Sequence, residues 1–571
     1  MNYLAAKTTD PIKIEILRNA LRSITDECFV SLMKSAYSTN IKERQDHSTA
    51  IVDAKGHLIA QTMASPIHIA SMMGLMTKMV EKFAGPDGRF PDLLPGDIFV
   101  GNDPHVAGGT HLPDVNMVAP VFLDGRIMAF VCNIAHHADI GGMVPGSMAG
   151  GMTEIYQEGL RIPLVRLFRG GVLQQDILDL LLLNVRLPHE RRGDYFAQIA
   201  AINLGINRLT DVATRHGASL LTSVFEEIKD RTERRMRQAI STIPDGTYTF
   251  TDVMDDDGLE ARNIPIKVVI DVSGEHIRFN FEGTAPQVPG NINVTLNATI
   301  AAVCFALQAL LDPDCPNNQG VLRVIETIAP EGSLLNARAP ASVAARAHTC
   351  QRIIDVVMGA LTGALPERAI GASNGANTTA VFSGVDPRTG HGYVYLETLG
   401  GGHGARASKD GKDGVQVNIT NTSNLPVEAI EFEYPLLVEE YSLVPNSGGA
   451  GRQRGGLGIR RVLRPVGHDC RFNGAGERFS QPPWGVFGGK NGACGHFGHR
   501  TSDGKVKTLP SKPNGMNVTA GEAIIVETPG AGGYGPPAQR SKAALAADER
   551  SGKYSNAFLE EFYPILAEGN A

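Results

Sequence analysis

The feature that most constrains this chain is a pair of apolar runs flanked by histidines and aspartates. Residues 102–142 read NDPHVAGGTHLPDVNMVAPVFLDGRIMAFVCNIAHHADIGG. The runs 115–121 and 127–134 have the composition of buried strands, and Asp124-Gly125 between them is typical of a turn. If the two runs form an antiparallel hairpin with this turn, the end of the second strand lies beside the start of the first. The fold is therefore expected to bring the flanking polar residues together.

Three of those flanking residues have the types and spacing of a metal site. His111 and Asp114 flank a Leu-Pro turn, and His136 ends the second run, where it returns beside His111. Imidazole and carboxylate suit Zn, Mn or Fe, and three protein ligands leave positions open for water or substrate. Ligand type alone does not separate Zn from Mn. His137 and Asp139 follow directly, and we expect them to be further ligands, orienting residues or general bases.

Each of these residues also has a plain structural interpretation, because most single histidines in proteins are satisfied polar groups. A metal site is favoured by the concentration of six histidines and aspartates, His105 included, in one segment. Gly-Gly pairs at 108–109 and 141–142 are expected to admit close backbone approach to a bound group.

Charge and cysteine usage exclude several classes of protein. The formal net charge is -7 and no long basic run occurs, so nucleic acid is not an expected partner. No apolar stretch is long enough to span a bilayer, and the first 17 residues lack the pattern of a secretory signal. The seven cysteines form no CxxC pair, which argues against a disulfide framework and a cysteine-type zinc site. A cytoplasmic protein is expected.

The chain is long enough for several domains, and its patterns predict a mixed α/β (α+β) fold. We expect an N-terminal metal-binding α/β domain over 1–240, a β-rich, glycine-punctuated domain over 241–540, and a polar tail over 541–571. The tail is expected to form a surface helix or to be partly disordered. The glycine-rich stretches at 448–456 and 532–537 do not match a phosphate-binding loop and are interpreted as turns.

Seven blocks of this sequence, in the same order, resemble the hydantoinase B/oxoprolinase family. They read KERQDHSTAIVDAKGHLIAQ, GNDPHVAGGTHLPDVNMVAPVF, AHHADIGGMVPGS, EIYQEGLRIP, FEGTAPQVPGNIN, EFEYPLLVEEYSLVPNSGGAGRQRGGLG and TPGAGGYGPP. The resemblance runs from about residue 10 to residue 537. That family includes beta subunits of ATP-dependent N-methylhydantoinase and caprolactamase, the C-terminal half of 5-oxoprolinase, and alpha subunits of acetone and acetophenone carboxylases.

The resemblance implies a two-part enzyme. A separate hydantoinase A-type subunit binds ATP with magnesium and phosphorylates the carbonyl oxygen of the substrate, and the B-type subunit holds a metal and completes the reaction. The expected assembly is a hetero-oligomer with two copies of each subunit. The sequence agrees with this division, because we find no nucleotide-binding motif in it.

The resemblance also assigns residues. The family's metal ligands fall on His111, Asp114 and His136, and Asp46 in the first block is the expected fourth ligand. The carboxylases carry roughly HQPD followed by HQND, where this chain has HLPD and HHAD. The departure at His137 favours cyclic-amide hydrolysis over carboxylation.

Three functions are therefore compared. The leading hypothesis is ATP-dependent opening of a lactam, hydantoin or 5-oxoproline ring, with a divalent metal (Zn or Mn) and with His137 or Asp139 transferring the proton. The second is a ketone carboxylase, for which bicarbonate is a substrate rather than an activator. The third is a non-catalytic subunit that shapes its ATPase partner and holds a structural ion.

Overall fold

The computed structural model describes residues 10–62 and 65–563. Residues 1–9, the start of the segment in which no secretory signal is predicted, lie outside that range, as do residues 564–571 of the polar tail. Among the described residues, none of the helices is both long enough and apolar enough to cross a membrane.

The N-terminal part is a twisted sheet between two layers of helices. Its strands are β1 (His47–Asp53), β2 (Leu58–Gln61), β3 (Ile98–Gly101), β4 (Asp114–Leu123), β5 (Arg126–His136), β6 (Val165–Arg169) and β7 (Val172–Leu173). The strand order is β2-β1-β5-β4-β3-β6-β7. The helices are α1 (Pro11–Ser35), α2 (Thr39–Lys42), α3 (Ile67–Phe83), α4 (Gln175–Leu183), α5 (Pro188–His216) and α6 (Ala218–Ile240). Helix α1 is capped at its start, since the Asp10 side chain accepts a hydrogen bond from the backbone N–H of Ile12.

The two faces of this sheet pack against different helices, and side chains alternate between them along each strand. On β5, Val131 and Ala135 join the apolar core formed with α1 and α5. Cys132 and Ile134 join the core formed with α3. Position 136 therefore belongs to the α3 face and position 137 to the α5 face.

The central part adds a second sheet with helices on it. Its strands are β8 (Gly246–Asp256), β9 (Arg262–Ser273), β10 (His276–Asn280) and β11 (Ile325–Ile328), in the order β11-β10-β9-β8. The helices are α7 (Leu296–Leu311), α8 (Gln319–Leu322) and α9 (Arg346–Leu361). Because α7 packs against α3, and α9 against β8 and β9, the central part is joined to the first sheet. The loop that leads into α9 reaches the predicted metal site.

The C-terminal part contains two further sheets. Their strands are β12 (Thr378–Val385), β13 (Gly392–Leu399), β14 (Leu436–Leu443), β15 (Ile459–Pro465), β16 (Cys470–Ala475), β17 (His496–Arg500), β18 (Val506–Thr508), β19 (Met516–Val518) and β20 (Ala523–Glu527). The orders are β13-β12-β16-β19 and β14-β15-β20-β17-β18. Helix α10 (Val427–Glu433) precedes β14, and single 3-10 turns occur at Ile155–Gln157, Pro366–Arg368 and Pro537–Gln539.

The tail forms helices α11 (Lys542–Arg550) and α12 (Asn556–Phe562). Leu545, Tyr554, Leu559 and Tyr563 cluster on Ala450, which anchors the tail to the C-terminal part. The mixed helix-and-sheet, multi-domain fold class is confirmed by these several sheets, whereas the domain bounds at 240 and 540 stay a prediction.

Candidate metal centre

The β4–β5 hairpin places the first two candidate ligands side by side. Asp114 opens β4 and His136 ends β5, and the two are directly opposite in the antiparallel register. His111 lies one turn before β4, where its carbonyl accepts a hydrogen bond from the N–H of Asp114 (3.3 Å). One ligand atom from each of the three residues lies within 4.8 Å of the others. The structure thus brings together the three residues that the spacing singled out.

The ligand atoms of this group have the environment that a cation requires. His111 Nε2 and Asp114 Oδ1 lie 3.0 Å apart, yet neither makes a hydrogen bond, and both are buried. Two ligands that share one ion at about 2.1 Å stand roughly 3 Å from each other. Buried polar atoms are rarely left without a partner, so this pair is best explained by a shared third atom. The donor set, two imidazoles and a carboxylate, fits a divalent transition metal.

The loop before α9 orients two of the three candidate ligands. The Nδ1–H of His111 donates to the carbonyl of Ala344 (3.0 Å), which turns Nε2 towards Asp114. Arg346 donates to Asp114 Oδ2 (2.5 Å), and Thr110 donates to the same oxygen (3.1 Å), so that Oδ1 stays available. Outer contacts of this kind fix the orientation of metal ligands.

A buried carboxylate holds that loop in turn. Glu158 Oε1 accepts hydrogen bonds from the Ser342 hydroxyl (2.5 Å) and from the N–H groups of Val343 (2.5 Å) and Ala344 (2.8 Å). Burial raises the pKa of Glu158 to about 7. The peptide whose carbonyl orients His111 is therefore clamped by Glu158, which belongs to the fourth sequence block.

His136 is positioned by the segment that precedes β1. The Asn40 amide donates to the His136 carbonyl (2.6 Å) and lies 3.0 Å from the ring nitrogen Nδ1. Asn40 is itself bonded through its side-chain oxygen to Arg44. The ring of His136 then lies 5.0 Å from that of His111, centroid to centroid.

Asp46, the expected fourth ligand, borders the same small cavity but is not part of the close group of three. Its Oδ1 lies 3.4 Å from Nε2 of His68, whose Nδ1 contacts Ser48 Oγ (2.8 Å). The cavity, about 20 Å³, is lined by Asp46, His68, Asp114 and His136 among others, and it has room for about one water molecule. Asp46 and His68 therefore line one small cavity together with Asp114 and His136.

The electrostatics of the site favour the protonation states that metal ligands need. Burial lowers the pKa of His111, with a further contribution from the Arg346 cation, and burial lowers the pKa of His136 to about 3. For Asp114, burial opposes ionisation, but His111 and Arg346 outweigh it and hold the pKa well below its usual range. The imidazoles are thus kept neutral and the carboxylate ionised.

The structure does not bring His137 and Asp139 to this group. The side chain of His137 lies on the α5 face of the sheet, where its Nε2 contacts Gln198 Oε1 (3.0 Å). Asp139 is paired with Arg186 (2.8 Å) and accepts hydrogen bonds from loop N–H groups. Alternation along β5 places residues 136 and 137 on opposite faces, and Asp139 lies in the loop beyond the strand. A catalytic role for His137 or Asp139 stays a prediction.

The glycine pairs also serve a different purpose from the one expected. A Cβ on Gly109 would lie 2.1 Å from the Asn102 carbonyl oxygen, and one on Gly141 would lie 2.3 Å from that of Asn184. These glycines therefore allow two segments of the protein's own backbone to pack closely, and not a bound group to approach.

Several residues of the site were not singled out from the sequence. Arg346 is separated from Asp114 by 232 positions, and no spacing rule joins them. It opens a helix that also contains Arg352 and Asp355, so residue type alone does not single it out. Only its burial in the fold shows that it requires an anionic partner. His68 does carry a signal, as a polar residue in the first turn of the apolar helix α3.

Comparison with known proteins finds a matching family and relatives of similar length. The family model for hydantoinase B/oxoprolinase matches residues 10–537. The caprolactamase subunit beta of Pseudomonas jessenii is 33% identical over 574 residues, which cover 99% of this chain and 97% of the relative.

Two solved structures share the fold. The ATP-dependent caprolactamase from Pseudomonas jessenii superposes with a TM-score of 0.91 at 30% identity, covering 99% of this chain and 98% of the other. Nucleotide-free acetone carboxylase superposes with a TM-score of 0.89 at 19% identity, covering 97% and 79%, and this likeness concerns the fold alone. Since the family model spans most of the chain and the relative matches nearly end to end, this protein belongs to the hydantoinase B/oxoprolinase family.

Proposed function

We propose that this chain is the metal-holding, beta-type subunit of an ATP-dependent hydrolase of cyclic amides. The observation that carries the proposal is the convergence of His111, Asp114 and His136, in which the facing atoms of His111 and Asp114 are buried and make no hydrogen bond. It is supported by membership of a family in which a relative of nearly equal length is named caprolactamase subunit beta. The substrate is a lactam, a hydantoin or 5-oxoproline.

The chemistry explains why such a reaction needs two subunits. An amide carbonyl is a poor electrophile, because the nitrogen lone pair is delocalised into it. An ATP-dependent alpha-type partner would phosphorylate the carbonyl oxygen and so provide a leaving group. Overall, ATP and water are consumed, the ring C–N bond breaks with the proton passing to nitrogen, and ADP and phosphate are released with the opened amino acid.

This chain's own residues would prepare the site for that reaction. His111, Asp114 and His136 would hold Zn or Mn, with Asp46 beside them. When bound, such an ion supplies Lewis acidity towards oxygen and lowers the pKa of water. Arg346 keeps Asp114 ionised, the Ala344 carbonyl fixes the orientation of His111, and Asn40 fixes that of His136.

The test is direct. The chain is co-purified with its alpha-type partner, and His111→Ala and His136→Ala are compared with His216→Ala, a matched change at an exposed histidine. We expect the first two to lose bound metal and ATP-dependent ring opening, and His216→Ala to keep both. Full metal content and full activity in His111→Ala and His136→Ala would end the proposal.

A labelled-bicarbonate arm of the same assay separates hydrolysis from carboxylation. The expected product carries no label, and label in the product would assign the chain to a carboxylase instead.

The free cysteines seen throughout the described chain are consistent with a reducing compartment, so we propose that the complex is cytoplasmic.

A further inference from the structure

A second, larger cavity adjoins the candidate metal centre. Its volume is about 740 Å³, which lies in the usual range for pockets that bind small molecules. Thr420 lines both this cavity and the small one at the metal ligands. The segment before α3 also borders both, with Pro66 facing the larger cavity and Ile67 the smaller. We call the larger space the α3–α7 cavity.

One wall of the α3–α7 cavity is apolar. It comes from α3, α7 and the turn that follows α7, and it consists of Ile69, Ala301, Phe305, Leu310, Leu311 and Pro313. A wall of this kind suits the carbon skeleton of a small ring, because burial of ring carbons releases water from apolar surface.

The lining of the cavity also includes a cation whose charge is not neutralised. Arg406 lines the cavity and, within residues 10–62 and 65–563, forms no salt bridge, while its buried Nε makes no hydrogen bond. Its backbone is fixed by hydrogen bonds with Lys409 and a bridge to Ile370. Glu367 also lines the cavity but lies beyond ion-pair distance of Arg406.

Two other inward-lying arginines are neutralised, Arg346 by Asp114 and Arg461 by Glu397. Arg368, which lines the same cavity, forms no salt bridge among the described residues, but its guanidinium donates to the carbonyls of Leu310 and Leu311. His403 lines the same cavity, and burial, with a further contribution from the Arg406 cation, lowers its pKa. An unpaired guanidinium beside a cavity of ligand size is an anion-binding group, because its planar fork matches carboxylate and phosphoryl oxygens.

We propose that the α3–α7 cavity receives the reacting molecule, with Arg406 binding an anionic group on it while the apolar wall packs against its ring. The anionic group is either a carboxylate that the cyclic amide carries or a phosphoryl group on the activated substrate. This inference rests on the proposed function, since it identifies the cavity as the way to the metal centre. Arg406 is then a residue that selects the substrate.

Binding measurements on the co-purified complex test this without turnover. Isothermal titration is carried out without ATP on 5-oxoproline, on 2-pyrrolidinone, which is the same ring without the carboxylate, and on inorganic phosphate. We expect Arg406→Met to weaken binding of at least one anion tenfold or more and to change that of 2-pyrrolidinone less than twofold. Arg406→Lys, which keeps the charge but not the fork, should fall between. Lys409→Met removes an exposed charge from the same loop and should leave every probe unchanged.

The outcomes distinguish a substrate carboxylate from a phosphoryl group as the anion that Arg406 binds. They also distinguish failure of this inference from failure of the proposed function. An effect on 5-oxoproline alone assigns Arg406 to the substrate carboxylate, and an effect on phosphate alone assigns it to the phosphoryl group. The inference is overturned if both anions bind Arg406→Met as they bind wild type, if neither anion binds wild type, or if the neutral lactam loses affinity equally. Failure of the proposed function shows instead as absence of ring opening by the wild-type complex with ATP, which these titrations do not involve.

Discussion

Two neighbouring histidines at the end of β5 have opposite surroundings. His136 lies on the α3 face of the sheet and lines a small cavity with Asp114 and Asp46. His137 lies on the α5 face, where it contacts Gln198 and packs against the ring of Tyr195 at 4.9 Å. Both are buried, and burial lowers the pKa of each, of His136 to about 3 and of His137 to about 4.

The difference teaches that burial and a shifted pKa do not by themselves mark a functional histidine. What distinguishes the His136 side is that one ligand atom from each of three residues, His111, Asp114 and His136, converges within 4.8 Å. Buried atoms without a hydrogen bond do not make the difference, because the His137 side has them too, at His137 Nδ1 and the Tyr195 hydroxyl. The His137 side contains packed side chains of α5, including an ion pair between Arg191 and Asp194 (3.0 Å).

Paired alanine variants give the largest expected contrast. His136→Ala should reduce bound metal below detection and abolish ring opening, because one of three ligands is lost. His137→Ala should keep its metal and lose about 2 kcal/mol in the free energy of unfolding, since it leaves a cavity and an unpaired Gln198. Elemental analysis and denaturant unfolding of both proteins measure the two effects. If His137→Ala lost its metal while its free energy of unfolding stayed unchanged, His137 would belong to the metal site and the contrast with His136 would be wrong.

Arg346→Met sharpens the comparison by removing an outer contact instead of a ligand. Asp114 Oδ2 loses its charged donor and is freed to rotate, so we expect metal affinity to fall about 100-fold, near the upper end for such partners. Competition with a chelator measures it. Arg388→Met, at an exposed ion pair with Asp386, is the matched control and should leave the affinity unchanged. Equal affinity in wild type and Arg346→Met would show that Asp114 is held by other contacts.

The hairpin and its ligands were predictable because the information is local. A turn at Asp124-Gly125 and two apolar runs are enough to set Asp114 opposite His136, and the structure pairs them in that register. The same reasoning did not separate His136 from His137. Both strands are buried on both faces, so apolar residues do not alternate with polar ones, and the sequence does not reveal which face holds the cavity.

The outer contacts were beyond reach of the sequence for a different reason. Ala344 acts through a backbone carbonyl, which every residue has, and Glu158 acts on N–H groups some 185 positions away. Neither contact leaves a residue-type pattern at a fixed spacing. Only the fold, by bringing the loop before α9 onto the hairpin, reveals them.

Glu158 tests whether that loop matters. Glu158→Ala removes the acceptor of three hydrogen bonds and should weaken metal binding about tenfold, whereas Glu158→Gln keeps an acceptor and should bind metal nearly as well as the wild type does.

The Glu158 carboxyl also predicts that the stability of the fold depends on pH. With its pKa raised from 4.5 to about 7 in the folded state, the unfolded chain loses the proton first as pH rises, so stability falls between pH 4.5 and 7.

The raised pKa of Glu158 corresponds to about 3 kcal/mol in the free energy of unfolding, which the wild type should lose between pH 4.5 and 7. Glu158→Gln has no proton to lose there, so its free energy of unfolding should not show this fall. Unfolding in chelator at pH 5 and pH 8 compares the two proteins free of metal. Parallel pH profiles for wild type and Glu158→Gln would contradict the assignment of this slope to Glu158.

The smallest expected effect belongs to Thr110, whose hydroxyl donates to the same Asp114 oxygen as Arg346 but carries no charge. Thr110→Val keeps the shape of the side chain but removes the donor to Asp114 and the acceptor of the Arg346 Nε–H (3.2 Å), so about 0.7 kcal/mol, or roughly threefold in metal affinity, should be lost. Thr299→Val, at a buried threonine whose hydroxyl donates to the Leu335 carbonyl, is the matched control and should leave the affinity within error. Because Arg346 still holds Asp114 Oδ2 in Thr110→Val, a loss as large as that of Arg346→Met would mean that hydroxyl and guanidinium act as one unit.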